Sequence, residues 1–556
     1  MPFPYAFPTS RFLTRLARQQ AGNVLITWAI AIIPLIGIIG SGVDVGRGYL
    51  AKAQLQNACD AAALAGRRAM SSGSVDATVR SEATKLFNFN FPQGSYGTAA
   101  FTPAVTSAAD SAQTVVVTAS STINTTIMKI FGFRTLPIAV TCNAKQDFVN
   151  TDIVLVLDTT GSMKDKATSS DSQTKIQALR SAVLALYDQL ADVQTQLEAG
   201  GLRLRYGIVP YASTVNMGAA IMSANAGYVY SGLTPYQSRQ VVTDGTGKSA
   251  CSKLNGSYSS SGSGSCTYFQ YLQRDIDTMD YVAGKSVNIA PTIGTDDSTG
   301  MTPTTTKANN VSWAGCTEER DTIRMASTAT TIPSTAYDLD IDLIPSSKAT
   351  KWKAYWPDVE YASYKIGIYS GDPYKPQYAC PTAARRMAAW NRSDLNTYLN
   401  SLNPDGGTYH DFGMMWGARL ASAGGIFGGD NPDTYNSMPV KKYIIFMTDG
   451  LFDTGYSTLY SGYGVEQLDA RVTPGGSSSN ENDQLARHKN RFSLLCSKAK
   501  TMGYSVWVIG FATTLDTALT NCATNAGQAS TSANSAALLA KFVEIGKDIG
   551  ALRLTQ

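Results

Sequence analysis

Residues 151–163 read TDIVLVLDTTGSM, and no other stretch limits the fold as strongly. Residues 153–157 are apolar without interruption, so they predict a strand buried on both faces of a parallel sheet. The run ends at Asp158; Thr160 and Ser162 follow at alternate positions, and Gly161 between them gives the backbone freedom to fold them inward. One carboxylate and two hydroxyls converging from a tight loop form a cup of hard oxygen donors, which suits Mg2+ or Mn2+. The same residue types also cap helices and turns, so completing an ion site needs further donors elsewhere in the chain.

Two later stretches supply candidate donors, and the second repeats the order of strand, oxygen donor and turn. Residues 403–417 (NPDGGTYHDFGMMWG) place Thr408 after two glycines and ahead of a helical pattern, and residues 442–450 (KYIIFMTDG) form a second apolar run that leads to Asp449. Together the three stretches resemble the von Willebrand factor A (VWA) family and its metal-ion-dependent adhesion site. The resemblance implies a doubly wound, Rossmann-like α/β domain with an ion at the carboxyl ends of the strands. Its ligands would be Asp158, Thr160, Ser162, Thr408 and Asp449. In the family the hydroxyls touch the ion, the aspartates act largely through water, and one position stays open for a partner's Asp or Glu. Thr160 stands where the family usually has Ser and keeps the hydroxyl. The long separation of Asp158 from Thr408 predicts a large insertion. His410, two residues after Thr408, reads as a partly exposed loop histidine, with a place near the ion as the alternative.

A chain of 556 residues is too long for one ordinary core. A formal charge of +4 with only 16% charged residues gives no footprint for nucleic acid. The two histidines, His410 and His488, leave little room for a His-based zinc site. Residues 24–43 (VLITWAIAIIPLIGIIGSGV) carry no charge over about 20 positions, enough for one transmembrane helix. Arg11, Arg15 and Arg18 before it, against Arg47 and Lys52 just after, favour a cytoplasmic N-terminus. A cleavable signal peptide is the rival reading, with small residues at 40–42 near a plausible cut. Against it, Ala51, Leu55, Ala58, Ala62, Ala65 and Ala69 continue at helical spacing as a stripe of small side chains. Residues 114–118 and 125–142 are rich in β-branched residues and predict strands for that stripe to lie on, making a small α+β stalk.

The segments GNV (22–24), DVGR (44–47) and LQNACDAAALA (55–65), with IGALRLTQ at the end of the chain, resemble the TadE/TadG-like proteins of tight-adherence (Flp) pilus assembly. The resemblance implies a bacterial inner-membrane protein of pseudopilin-like character whose bulk is periplasmic. Pseudopilins are cut after a glycine and carry a glutamate five residues on; that position here is Thr27, so the anchor is expected to be retained. The eight cysteines, none in a C-x-x-C pair, suit disulfides in an oxidising compartment. Proximity suggests Cys59 with Cys142, Cys251 with Cys266, Cys316 with Cys380 and Cys496 with Cys522; buried free thiols are the alternative.

The expected organisation is a cytoplasmic N-terminus at 1–22, a transmembrane helix at 23–43 and a stalk at 44–149. A VWA domain follows at 150–210 and 393–556, interrupted by an insertion at 211–392. The insertion is rich in Ser, Gly, Thr and Tyr, and residues 256–265 (GSYSSSGSGS) look its most flexible part. It reads either as a partner-binding surface or as a solubilising insert that shields the sheet, and composition does not separate the two. DGTGKS at 244–249 lacks the first glycine of a phosphate loop. Asp338, Asp340 and Asp342 lack the glycine and final glutamate of an EF-hand and read as a strand with one wet face. No G-x-S-x-G elbow supports a serine hydrolase. The expected function is therefore non-enzymatic: a pilus-assembly component that binds a protein partner's carboxylate through Mg2+ or Mn2+, with no nucleic acid and no small-molecule substrate. A surface adhesin and a metal-assisted hydrolase with His410 or an aspartate as base are the competing readings.

Overall fold

The computed structural model describes residues 22–70, 75–109, 111–145, 149–253, 257–289, 309–356, 377–456, 459–475 and 480–550. It forms two compact units, divided in sequence between Phe148 and Val149.

In the first unit, helix α1 (Gly22–Ala69) runs unbroken past Pro34. Its apolar half is long and apolar enough to cross a membrane and is almost entirely uncovered by the protein. Beyond it the small-residue stripe is buried as expected at Ala51, Leu55, Ala58 and Ala62. It then drifts: Ala65 and Ala69 are half-buried, and Gly66 takes the close position, with Ala83 and Val115 near where a Cβ would stand. Helix α2 (Ala77–Asn90), capped by the Asp76 carboxylate on the Val79 N–H, packs beside α1. Strands β1 (Ala104–Ala108), β2 (Ser111–Asn124) and β3 (Thr135–Lys145) form an antiparallel meander in that order. Neither α2 nor β1 was among the expected elements. Of the short strands and turns expected over 125–142, residues 125–134 form a compact turn and one strand starts at Thr135, running unbroken through Pro137. A disulfide joins Cys59 on α1 to Cys142 on β3.

The second unit begins with β4 (Asn150–Asp158), buried at all nine positions. Helix α3 (Lys175–Ala199) and β5 (Leu204–Tyr211) follow. The inserted region contains a three-stranded antiparallel sheet of β6 (Leu233–Asp244), β7 (Ser257–Ser259) and β8 (Ser265–Asp277), in the order β6-β8-β7. Strand β9 (Arg385–Ala388) and helix α4 (Arg392–Asn400) return the chain to the main sheet, and α5 (His410–Ala421) and β10 (Met438–Thr448) follow. Helix α6 (Glu481–Thr501), β11 (Ser505–Phe511), β12 (Ala529–Ser532) and α7 (Ser535–Gly550) complete it. The main sheet runs β9-β5-β4-β10-β11-β12; β5 to β12 are parallel, and β9 is an antiparallel edge. Val154 and Val156 of β4 share one core with α5 and α6. By strand alternation Ile153, Leu155 and Leu157 face the other way. Helices α3 and α7 pack against each other, with Leu186 and Leu190 close to Gly546 and Gly550.

Helix α5 is buried at all twelve positions. The sheet lies against one side of it, where Gly413 and Gly417 let it close in on Val156 and Tyr211. The inserted region covers another side: Trp416 lies on Trp352 with ring centroids 5.1 Å apart, and Arg419 donates to both oxygens of Glu319 at 3.0 Å. Described parts of the inserted region thus contribute to the core. Its Val229, Tyr281, Trp352, Tyr355 and Trp356 belong to the same apolar cluster as β4 and α5. Two local expectations are corrected. Much of 256–265 is ordered hairpin, with Tyr258 paired to Cys266 and a disulfide from Cys266 to Cys251. Residues 338–342 form turns and no strand, because guanidinium groups take their carbonyls: Arg419 that of Asp338 and Arg320 those of Asp340 and Leu343. The expected pairs Cys316–Cys380 and Cys496–Cys522 are also formed.

Gly417 tests the close packing of α5. A Cβ there would stand 2.5 Å from Val156 Cγ2, a stiff β-branched neighbour. Gly417→Ala should lower stability by about 1–3 kcal/mol in urea unfolding. Gly429→Ala, where the space is open, should leave the midpoint unchanged.

Candidate metal centre

The carboxyl ends of β4 and β10 lie side by side, and the loops leaving them carry four of the five expected ligands. Asp158 is fully buried at the last position of β4. Its Oδ1 accepts the Thr160 N–H at 2.9 Å, an Asx-type turn that reverses the chain at once. A single 3-10 turn over Gly161–Lys164 brings Ser162 back, so that its hydroxyl lies 3.2 Å from that of Thr160. Ser162 Oγ then donates to Asp449 Oδ1 at 2.9 Å, closing the link from the first strand end to the second. Asp158, Thr160, Ser162 and Asp449 are therefore joined by direct hydrogen bonds.

Thr408 arrives by backbone contacts. Its N–H donates to Asp453 O at 2.7 Å, and the Asp453 N–H returns a bond to Thr408 O at 3.0 Å. The residues before it dock on the first loop: Asp405 N–H donates to Thr159 O at 2.8 Å and Gly161 N–H to Gly406 O at 2.9 Å. Gly406 has φ +79° and no space for a Cβ, which would stand 2.6 Å from Ala379 Cβ and 2.8 Å from Ser213 Oγ. That conformation needs glycine.

Burial, and next the charge of Asp449, push Asp158 up to about 7. Two like-charged carboxylates linked through Thr160 and Ser162, neither side chain open to water, create a demand for positive charge. Lys175 Nζ supplies some, 2.9 Å from Asp449 Oδ2. Among the described residues no group of three or more His, Cys, Asp and Glu side chains is placed to hold a metal. This centre differs in kind, with two carboxylates and hydroxyls. Such an all-oxygen set, with only Lys175 to balance two buried carboxylates, fits a hard divalent cation.

Three residues that sequence reasoning passed over shape the centre. Tyr211, in register with Asp158 on the neighbouring strand, donates its hydroxyl to Asp158 Oδ2 at 3.2 Å; burial raises its pKa far above normal and keeps that proton in place. Thr448 Oγ1 donates to the same oxygen at 2.8 Å. Its one proton being used there, His410 Nε2, 2.9 Å away, must donate to Thr448. His410 is thus fully buried at the start of α5, contrary to the expected loop exposure, and burial pushes its pKa down to about 3. Tyr211 and Thr448 were findable as strand-end neighbours of the two aspartates. Lys175 carried no signal that set it apart from other lysines.

The first unit carries a family signature of its own. Residues 22–72 match the Tad family model, described as Flp pilus-assembly TadE/G-like. No curated protein matches the chain. Among solved structures it is similar to the pilus adhesin SpaC from Lactobacillus rhamnosus GG, open conformation, at 13% identity over 79% of this chain and 32% of that one, TM-score 0.29. The match therefore spans about a third of SpaC's own length. It is also similar to the PilB minor pilin from Streptococcus sanguinis, at 12% identity over 81% of this chain and 77% of that one, TM-score 0.31. A third is the vWF domain of the type V pili tip protein Mfa5 from Porphyromonas gingivalis, at 12% identity over 73% and 97%, TM-score 0.28. These likenesses are too distant to bear on the site.

Behind the centre, His488 of α6 fixes the first turn of α5. Its Nδ1 lies 2.7 Å from Asp411 Oδ2 and its Nε2 3.4 Å from Glu466 Oε1, all three side chains being buried. Burial alone would lower its pKa, but Asp411 and Glu466 outweigh burial and raise it to about 9. A histidine raised above its unfolded value near 6.5 stabilises fully below that value, and the contribution is lost as pH rises through 9. The stability difference between wild type and His488→Gln should therefore shrink by on the order of 1–3 kcal/mol between pH 6 and pH 10 in urea unfolding.

Proposed function

We propose that this protein is a membrane-anchored component of a tight-adherence (Flp) pilus apparatus that grips a partner protein through a divalent ion. In this reading α1 is a single span in a bacterial inner membrane with its N-terminus cytoplasmic, residues 44–149 are a stalk, and the second unit lies in the periplasm. That unit is a doubly wound VWA domain at 150–210 and 393–556, with 211–392 inserted. The Tad match at 22–72 supports the pilus setting. The strand order and the placement of the centre at the carboxyl ends of parallel strands support the VWA reading.

The observation that carries the binding reading is the hydrogen-bonded path from Asp158 through Thr160 and Ser162 to Asp449, with Asp158 raised by its buried, like-charged surroundings. Asp158, Thr160, Ser162, Thr408 and Asp449 would hold Mg2+ or Mn2+. When bound, the ion supplies positive charge and a coordination position for a partner's Asp or Glu. Tyr211 and Thr448 hold Asp158 in place, and His410 fixes the Thr448 hydroxyl that reaches it. Lys175 balances Asp449 and would compete with the ion for that carboxylate. A hydrolytic role for His410 is poorly supported, because the ring is buried, held on Thr448 and hard to protonate.

Calorimetric titration of Mn2+ into the full chain in detergent tests this. Wild type should bind at one saturable site. Folded Asp158→Ala and Thr408→Ala variants should lose binding, and Lys175→Met should bind several-fold more tightly. Equal binding by all four would remove the centre from the function.

A further inference from the structure

The turn joining β2 to β3 in the first unit has a surface unlike that of an ordinary hairpin tip. Residues 125–134 read TTIMKIFGFR, with one 3-10 turn over Met128–Phe131. Hairpin turns are normally built from polar residues, glycine and proline. This one leaves Ile130 74%, Phe131 41% and Phe133 62% exposed, with Lys129 and Arg134 exposed beside them.

Its location indicates what covers that surface. The Phe131 ring lies 3.4 Å from where a Cβ of Gly37 would stand, and Ile127 lies so close to Gly40 that a Cβ would meet its Cγ2 at 2.2 Å. Both glycines belong to the uncharged run 24–43 of α1, whose Ile36, Ile38 and Ile39 are also exposed around the same level. Gly37 precedes the end of that run at Val43 by two turns or so, which puts Phe131 about 9 Å inside it. Segments that lie in a membrane interface bury their apolar side chains about 5–10 Å deep.

Asp44, the first charge after the run, fixes the turn at that level. It is buried, and its carboxylate accepts the N–H groups of Thr126, Ile127 and Met128, each at 2.8 Å. Further backbone hydrogen bonds close the turn on itself: Ile130 N–H donates to Ile127 O, Gly132 to Lys129 O, Phe133 to Met128 O and Thr125 to Arg134 O, while Arg47 donates to the Thr126 hydroxyl. Backbone donors satisfied in this way can leave water at little cost. Arg47, 4.0 Å from Asp44, stands on the polar side.

We propose that the β2–β3 turn is a second membrane contact. It inserts Ile130, Phe131 and Phe133 into the leaflet from which the C-terminal half of α1 emerges, while Lys129 and Arg134 meet lipid phosphates. The turn and α1 together then fix the tilt and rotation of the first unit on the bilayer. The occupant is lipid, because the apolar turn is continuous with the uncovered apolar face of α1. The proposal rests on α1 spanning the membrane.

The test uses the full chain in nanodiscs of phosphatidylethanolamine and phosphatidylglycerol, spin-labelled singly at Ile130→Cys, Phe133→Cys, Ile38→Cys or Tyr49→Cys. Collision with oxygen is compared with collision with a water-soluble nickel chelate. The turn labels should resemble Ile38, rich in oxygen collisions and several-fold shielded from nickel, while Tyr49 is open to nickel. Asp44→Ala should bring the turn labels toward the Tyr49 value and leave Ile38 unchanged. Turn labels open to nickel while Ile38 is shielded would overturn the second contact and leave the span intact. Turn labels shielded from both reagents would overturn lipid in favour of a protein cover. Nickel access at Ile38 would remove the span and the proposal with it.

Discussion

Helix α5 has no face toward water, and that constraint organises the second unit. Enclosing a helix that contains His410, Asp411 and Arg419 is costly unless these side chains find partners inside. His410 takes Thr448, Asp411 takes His488, and Arg419 takes Glu319. The last pairing explains why the inserted region is structural: it brings the carboxylate and the Trp352 ring without which Arg419 would be buried unpaired. Glycines at 413 and 417 do the same on the sheet side, where close approach to β4 leaves no space for a side chain.

The ion-binding reading depends on this enclosed helix. Thr408 lies just before α5, on a loop held between the turn after Asp158 and the segment after Asp449. The first residue of α5 reaches through Thr448 to Asp158. The centre's oxygens are thereby positioned by a rigid element at their back, and their charge is left to be balanced by Lys175 or by an added cation.

The sheet was legible because β4, β10 and β11 are apolar runs, each followed by a turn signal. The four disulfides followed from sequence neighbours. The donors Asp158, Thr160, Ser162 and Asp449 could be found as strand-end residues, and the structure joins them. What could not be read was long-range pairing. Glu319 lies 100 residues from Arg419, in a region whose Ser, Gly and Tyr content resembles a surface loop. Asp338, whose alternation with Leu339 suggested a strand, is instead buried against Arg491 and Tyr463 from distant parts of the chain. Helix α2 and the β2–β3 turn show the same limit, since their roles come from packing on α1.

The central claim is that the hydroxyls of Thr160, Ser162 and Thr408 and the carboxylates of Asp158 and Asp449 converge on one divalent ion. Anomalous diffraction from crystals grown with Mn2+ reads this directly. The account predicts a single peak within about 2.3 Å of the Thr160, Ser162 and Thr408 hydroxyl oxygens, with Lys175 displaced from Asp449. A crystal saturated with Mn2+ that shows no peak between these residues, and Lys175 still paired with Asp449, would contradict it.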